Sequence, residues 1–253
     1  MNISSIRDDF YLYRQKLKQI EKIKEQFNIF SKLSTLNENR FGIEYDEKKI
    51  IHTEAIQETV FDRQYIYHTA WAFRTIYKIK PEIHTDISSS LYFIGMLSSV
   101  QKTDFFDYRP ATLVLDNLKC SFADLTNLHF ADNSLESLSC MHVIEHIGLG
   151  RYGEPLDYNG DIKAIAELKR VVKKNGNLLF VVPIGKSPKI IFNLHRIYTH
   201  QQIMNNFENF ELIEFGLIPE NEKDGGIVMN PTKDLLERQN YACGCYWFKK
   251  NEI

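Results

Sequence analysis

Residues 137–185 read SLSCMHVIEHIGLGRYGEPLDYNGDIKAIAELKRVVKKNGNLLFVVPIG. A short apolar run, Ser137 to Val143, reads as a strand that ends in a knot of polar groups, His142, Glu145 and His146. A glycine-punctuated loop follows, then a helix in which Ile162, Ile165, Leu168 and Val172 recur at spacings of three and four and share one face. Asp161 suits the N-terminal end of that helix, and Lys169, Arg170, Lys173 and Lys174 suit its final turns, where positive charge is favourable. Asn175-Gly176 supplies a left-handed stop. Leu178 to Val182 is apolar throughout, as expected of a strand covered on both faces, and Pro183 ends it. Strand, helix and strand in this order are the grammar of an open parallel sheet. Such sheets bind ligands beyond the carboxyl ends of their strands, where the polar knot falls.

The chain has 253 residues, 43% of them apolar, enough for one substantial domain with an appendage. A net charge of −2 and the lack of a long basic run argue against nucleic-acid binding. No apolar stretch approaches the roughly 20 residues that span a bilayer. The first ten residues, MNISSIRDDF, lack the basic and apolar regions of a secretory signal, so the expected location is cytoplasmic. Cys120, Cys140, Cys243 and Cys245 are expected as reduced thiols.

Two domains are expected: a helical extension or lid over 1–80 and a sheet domain over 81–253. Ile6, Phe10, Tyr13, Leu17, Ile20, Ile23, Phe27 and Phe30 recur at helical spacing. That face can pack on the main domain, form a homodimer contact or cover the substrate. Residues 41–51 suggest a hairpin turning at Asp46-Glu47, and a second helix is expected from Asp62 to Lys80, stopping before Pro81. Seven strands follow: Glu82–Ile87, Thr103–Asp107, Leu118–Ala123, Ser137–Val143, Leu178–Val182, Glu211–Leu217 and Ala242–Lys249, with a helix over Leu91–Val100. The fold class is therefore α/β, a Rossmann-like, mostly parallel sheet with helices on both faces.

Asp86, Asp107 and Asp124 stand at or near three successive strand ends. An acid about twenty residues beyond the first strand is where nucleotide-binding sheets grip ribose hydroxyls. The loop after the first strand carries Ser88-Ser89-Ser90 in place of glycines. That suits a pyrophosphate poorly and leaves room for a cofactor without phosphates, such as S-adenosylmethionine.

The order of elements resembles a class I S-adenosylmethionine-dependent methyltransferase. The runs HTDISSSLYF, FFDYRP, HVIEHIGLGRYG, GDIKAIAELKRV, FVVPIG, FNLHRIYT and YACGCYWFKK are similar to a little-characterised methyltransferase-like family, many of whose members lie in bacterial surface-glycan gene clusters. The resemblance implies that the loop Asp86 to Ser90 faces the cofactor's methionine part, with Asp107 on the ribose and Asp124 near the adenine. The serine loop departs from that pattern.

A sulfonium methyl is already electrophilic, so the protein must mainly align an acceptor oxygen and take its proton. His146 is the expected general base, with Glu145 as runner-up, and His142 is expected to turn toward the sheet or the adenosine. Arg151 and Tyr152, in the loop from Gly148 to Asp161, and Asn193, His195, Arg196 and Tyr198, after the fifth strand, are expected to wall the substrate, with Arg196 placed to clamp a phosphate or carboxylate. His142-x-x-Glu145-His146 also matches an inverted zinc-protease motif, but that chemistry needs helix where strand is expected. Cys243-x-Cys245 reads as strand packing, so no metal is expected. The resulting expectation is O-methylation of a sugar, sugar nucleotide or phosphorylated precursor in surface-polysaccharide biosynthesis, the glycan context coming from the resemblance alone. The alternatives are a non-catalytic methyltransferase-like scaffold and, third, a zinc hydrolase.

Overall fold

The computed structural model describes residues 3–36, 41–51, 54 and 57–252. The chain divides into two compact units, 1–61 and 62–253. In the first, helix α1 covers Ile3–Leu36, and a turn closed by Lys49 N–H on the Asp46 carbonyl lies in 41–51. Phe27 meets Tyr45 with ring centroids 5.0 Å apart. The expected hairpin is a turn without strands. The side chains of Ile6 and Phe10 lie outside the described residues.

In the second unit, α2 (Arg63–Ile79) starts where Asp62 accepts the Tyr65 N–H and stops where Lys80 turns left-handed ahead of Pro81. It buries His68, Trp71, Ala72, Thr75 and Ile76, and Trp71 Nε1 donates to Glu214 at 2.7 Å. Residues 62–80 thus fold with the sheet, not with the N-terminal extension in which the sequence reading had placed them. Next come β1 (His84–Ile87), α3 (Leu91–Leu97), β2 (Thr103–Asp107), β3 (Leu118–Phe122), β4 (Leu135–Met141), α4 (Gly160–Val171) and β5 (Val172–Ile184). The chain ends with β6 (Lys189–Ile191), β7 (His195–Ile197), α5 (His200–Asn206), β8 (Phe210–Ile218), β9 (Val228–Met229), α6 (Lys233–Glu237) and β10 (Ala242–Lys250).

The main sheet runs β3-β2-β1-β4-β5-β10-β8-β9. The first five strands are mutually parallel, and β10 inserts antiparallel between β5 and β8. It has eight strands rather than seven. The added one, β9, has two residues, too short to show alternation. Strands β6 and β7 form a separate small ribbon.

One apolar layer, with Ile165, Leu168, Phe180 and Phe207, covers one face of the sheet; Trp71, Ile94, Phe105 and Val181 belong to the layer on the other. The α4 face differs from the expected one. Ala164, Ile165, Leu168 and Val171 are buried, whereas Ile162 is exposed. The helix ends at Val171, so Lys173 and Lys174 lie in β5. Asn175 is left-handed as expected, but it turns a bulge where β5 shifts register against β4.

Candidate functional site

The loop after β1 is knitted by side chains. Ser137 and Ser139 contact the two ring nitrogens of buried His84 at 2.8 and 2.9 Å, and Ser139 donates onward to Asp86. The other Asp86 oxygen accepts the Ser89 N–H at 3.0 Å, and Ser89 Oγ accepts the Met141 N–H. Asp86 is therefore fully buried with both oxygens engaged inside the protein, so it shapes the loop after β1 and leaves neither oxygen free there. Ser88 adopts φ +56°, the left-handed conformation for which a glycine was expected, and Ser90 precedes α3 as its cap residue.

Burial pushes the Asp86 carboxyl up to about 6, against the bonds from Ser139 and Ser89. A carboxyl raised in this way adds stability below its unfolded value, and that stability is lost as pH rises through about 6. Asp86→Asn should abolish this slope, worth roughly 3 kcal/mol between pH 4 and 7. Denaturant unfolding across that range measures it, and an unchanged slope would remove Asp86 as its source.

Beyond the ends of β1 to β4 lies a cavity of about 180 Å³, lined by Ser88, Tyr108, Asp124, Val143, Ile147 and Tyr152 among others. Asp124 accepts from both the N–H and the hydroxyl of Thr126. Asp107, the last residue of β2, accepts the Arg109 N–H at 2.7 Å.

The polar knot follows β4. His142 is left-handed (φ +58°), and Ile144–His146 forms a single 3-10 turn, so the helix that the zinc-protease motif needs is absent. Glu145 is buried at the centre. Its Oε1 lies 2.8 Å from His142 Nδ1 and 3.8 Å from His146 Nε2, while Oε2 has no partner among the described residues. His142, expected to turn toward the sheet or the adenosine, meets the sheet strand β10: Nε2 is 3.4 Å from Cys243 Sγ, and the ring stacks on Tyr65. Burial opposes a charge on His142, but the Cys243 sulfur and the Glu145 carboxylate outweigh it and raise its pKa. Burial also holds the Cys243 thiol well above its ordinary value.

His146 differs. Its Nδ1–H donates to the Leu194 carbonyl at 2.7 Å, which leaves Nε2 with its lone pair. Burial lowers its pKa, with Arg151 and His142 adding to that effect against Glu145 and Leu194. Two imidazoles thus flank one carboxylate, their pKa values moved in opposite directions.

Arg151 donates to the same Leu194 carbonyl. Tyr152 lies between the guanidinium groups of Arg109, 4.6 Å from its ring centre, and Arg151. His195 stacks on Tyr241 at 5.0 Å, with Nε2 unpartnered among the described residues, and Asn193 is exposed in the β6–β7 turn. A second cavity of about 550 Å³ is lined by His195, Tyr241, Lys186 and Lys189, among others.

Arg196 and Tyr198 are tied into the protein by hydrogen bonds and also line a cavity of about 430 Å³ with Lys189 and Gln202. Arg196 is buried and donates to the carbonyls of Ile147 and Tyr158, and its Nε lies 3.6 Å from Asp161. Tyr198 donates to Asp161 at 3.0 Å. Together they buttress the loop from Ile147 to Tyr158, with Arg196 spending guanidinium donors on its main-chain carbonyls. Gly148 belongs to the same construction: its φ is +78°, and a Cβ there would come within 2.1 Å of the Asp157 carbonyl.

Sequence reasoning missed Tyr65, His68 and Tyr241. The signal for His68 was its spacing with Trp71, Ala72 and Thr75, which puts it on the buried face of α2.

The N-methyltransferase NodS from Bradyrhizobium japonicum, solved with S-adenosylhomocysteine, is similar over 75% of this chain and 88% of its own, at 12% identity and a TM-score of 0.50. The YcgJ protein from Bacillus subtilis is similar over 74% and 100%, at 14% and 0.50. The MccD protein is similar over 72% and 96%, at 12% and 0.50. The fold is that of class I methyltransferases. At these identities the likeness is one of fold. Residues 116–223, which hold the polar knot, match the family described as Caenorhabditis protein of unknown function, DUF268. A sequence search of curated proteins finds no match. In the methyltransferase fold the 180 Å³ cavity lies at the carboxyl ends of the parallel strands, where such sheets bind ligands.

Proposed function

We propose that the chain is an S-adenosylmethionine-dependent methyltransferase acting on oxygen. The observation that carries this reading is the cavity at the carboxyl ends of β1 to β4, lined by Val143 and Ile147, with His146 and the buried Glu145 on the single turn between those two residues. The strand ends suit the cofactor: Ser88 takes the glycine-like turn, and Asp107 and Asp124 present carboxylates there without a phosphate-binding glycine loop. When bound, S-adenosylmethionine supplies an electrophilic methyl group. Asp107 would hold the ribose, Asp124 the adenine end and Ser88 the methionine side.

His146 Nε2 takes the acceptor's hydroxyl proton as its oxygen receives the methyl, and Glu145 stabilises the imidazolium that forms. Tyr152, which lines the cavity, and the two arginines beside it stand exposed at its rim, where an acceptor would enter. Lys186 and Lys189, near the stacked His195 and Tyr241, suit an acceptor with an anionic group. Phosphorylated sugars and sugar nucleotides are the acceptors of choice, and surface-polysaccharide biosynthesis, suggested by the family resemblance, is the proposed setting.

Asp107→Ala tests the cofactor half. It should weaken binding of S-adenosylhomocysteine by about 1.5–3 kcal/mol, the range for charge-assisted hydrogen bonds, in a folded variant. Unchanged affinity by calorimetric titration would take Asp107 out of the site.

A further inference from the structure

We propose that His68, His142 and Cys243 form a binding site for one thiophilic transition-metal ion of the zinc class, with His68 Nε2, His142 Nε2 and Cys243 Sγ as ligands. The three atoms lie within 4.8 Å of one another. They come from α2, the turn after β4 and the start of β10, and the His68 and Cys243 side chains are fully buried. The sequence reading expected no metal and treated Cys243 as strand packing. Packing accounts for the burial of Cys243 but not for the direction of the two imidazoles.

His68 Nδ1 lies 2.6 Å from the Gln64 carbonyl, which only accepts, so that nitrogen carries the proton. The lone pair is therefore on Nε2, which is buried and has no partner among the described residues. A buried acceptor left unpaired is unfavourable, because it has given up water without gaining a partner. Metal-binding histidines show this same arrangement, one ring nitrogen fixed by a carbonyl or carboxylate while the other ligates. His142 repeats it, with Nδ1 on Glu145 and Nε2 toward the sulfur. Its left-handed backbone is a strained conformation of the sort that persists where the surroundings demand it.

Zinc–nitrogen bonds of about 2.0–2.1 Å and zinc–sulfur bonds of about 2.3 Å at a tetrahedral angle separate the two ligand atoms by about 3.5 Å. His142 Nε2 and Cys243 Sγ are 3.4 Å apart. One nitrogen pair with one thiolate selects zinc or its chemical relatives over magnesium or calcium. Binding deprotonates the Cys243 thiol and leaves both ligating nitrogens proton-free, with the protons released to solvent. Three protein ligands leave a fourth tetrahedral position for water. The ion would lock α2 to the turn that carries Glu145, and the site stands whether or not the chain transfers methyl groups.

The test uses the full chain, stripped with a chelator and titrated with Co²⁺. One ion per chain should bind, with an intense thiolate-to-cobalt charge-transfer band that Zn²⁺ abolishes. Cys243→Ser should lose the band, and Cys120→Ser, on β3, should keep it. His68→Gln should weaken binding at least tenfold. Circular dichroism checks that the variants fold. If a ligand variant does not, alkylation of the parent decides: Zn²⁺ should protect Cys243 from a thiol reagent and leave Cys120 reactive. No charge-transfer band in the parent, a band surviving in folded Cys243→Ser, or no protection of Cys243 would overturn the proposal.

Discussion

Replacing His146 with alanine should lower methyl-transfer turnover by about 10²–10⁴-fold, the usual contribution of a general base, while affinity for S-adenosylhomocysteine stays near that of the parent. The reason lies in the tautomer. Leu194 fixes the Nδ1 proton, so Nε2 keeps its lone pair, 3.8 Å from Glu145. Glu145→Gln should also lower turnover, because it replaces the carboxylate oxygen that lies 2.8 Å from His142 and 3.8 Å from His146. The pH profile adds a second check. Burial lowers the His146 pKa, with Arg151 and His142 assisting, so its basic form persists below the ordinary imidazole value. Turnover should therefore stay level through neutral pH and fall only on the acid side of about 6.5. Release of S-adenosylhomocysteine with a set of phosphorylated sugars and sugar nucleotides supplies the readout. Near-parent turnover of His146→Ala on an acceptor that the parent methylates would remove His146 from the chemistry.

Arg196→Ala should destabilise the fold by about 3–5 kcal/mol, the cost of removing one partner of a buried ion pair. Among the described residues, the buried Asp161 side chain would keep Tyr198 as its hydrogen-bond partner and lose the guanidinium, and the carbonyls of Ile147 and Tyr158 would lose their donor. Arg196→Lys should recover little, because an ammonium cannot span the carboxylate and both carbonyls as the guanidinium does. Denaturant unfolding measures both variants. A loss below about 1 kcal/mol, the scale of an exposed pair, would mean that Arg196 is free to do something else.

Much of the architecture was legible in the chain. The apolar run from Leu178 to Val182 announces a buried strand, and Asp62 and Pro81 bracket α2 closely. The end of α4 was misread because Asn175-Gly176 signals a left-handed residue without saying whether a helix stops or a strand bulges there. Strand β9 was invisible at two residues. Within the site, the clustering of His146, Glu145, Arg151 and Tyr152 followed from their closeness in sequence. The roles of Arg196 and Tyr198 did not, since a charge or a phenol after a strand looks the same whether it faces a ligand or, as here, a buried aspartate. The meeting of His68, His142 and Cys243 depends on α2 closing over the start of β10, a long-range contact that no local pattern encodes. The serine loop was the converse case. Ser88 takes the left-handed turn itself, so the missing glycine does not break the loop.

The most direct test of the central claim is calorimetric titration of the full chain with S-adenosylhomocysteine and with S-adenosylmethionine. Saturable binding of one molecule per chain, weakened by Asp107→Ala and unchanged by His146→Ala, is the predicted result. No saturable binding of either compound to the folded parent chain would contradict the account.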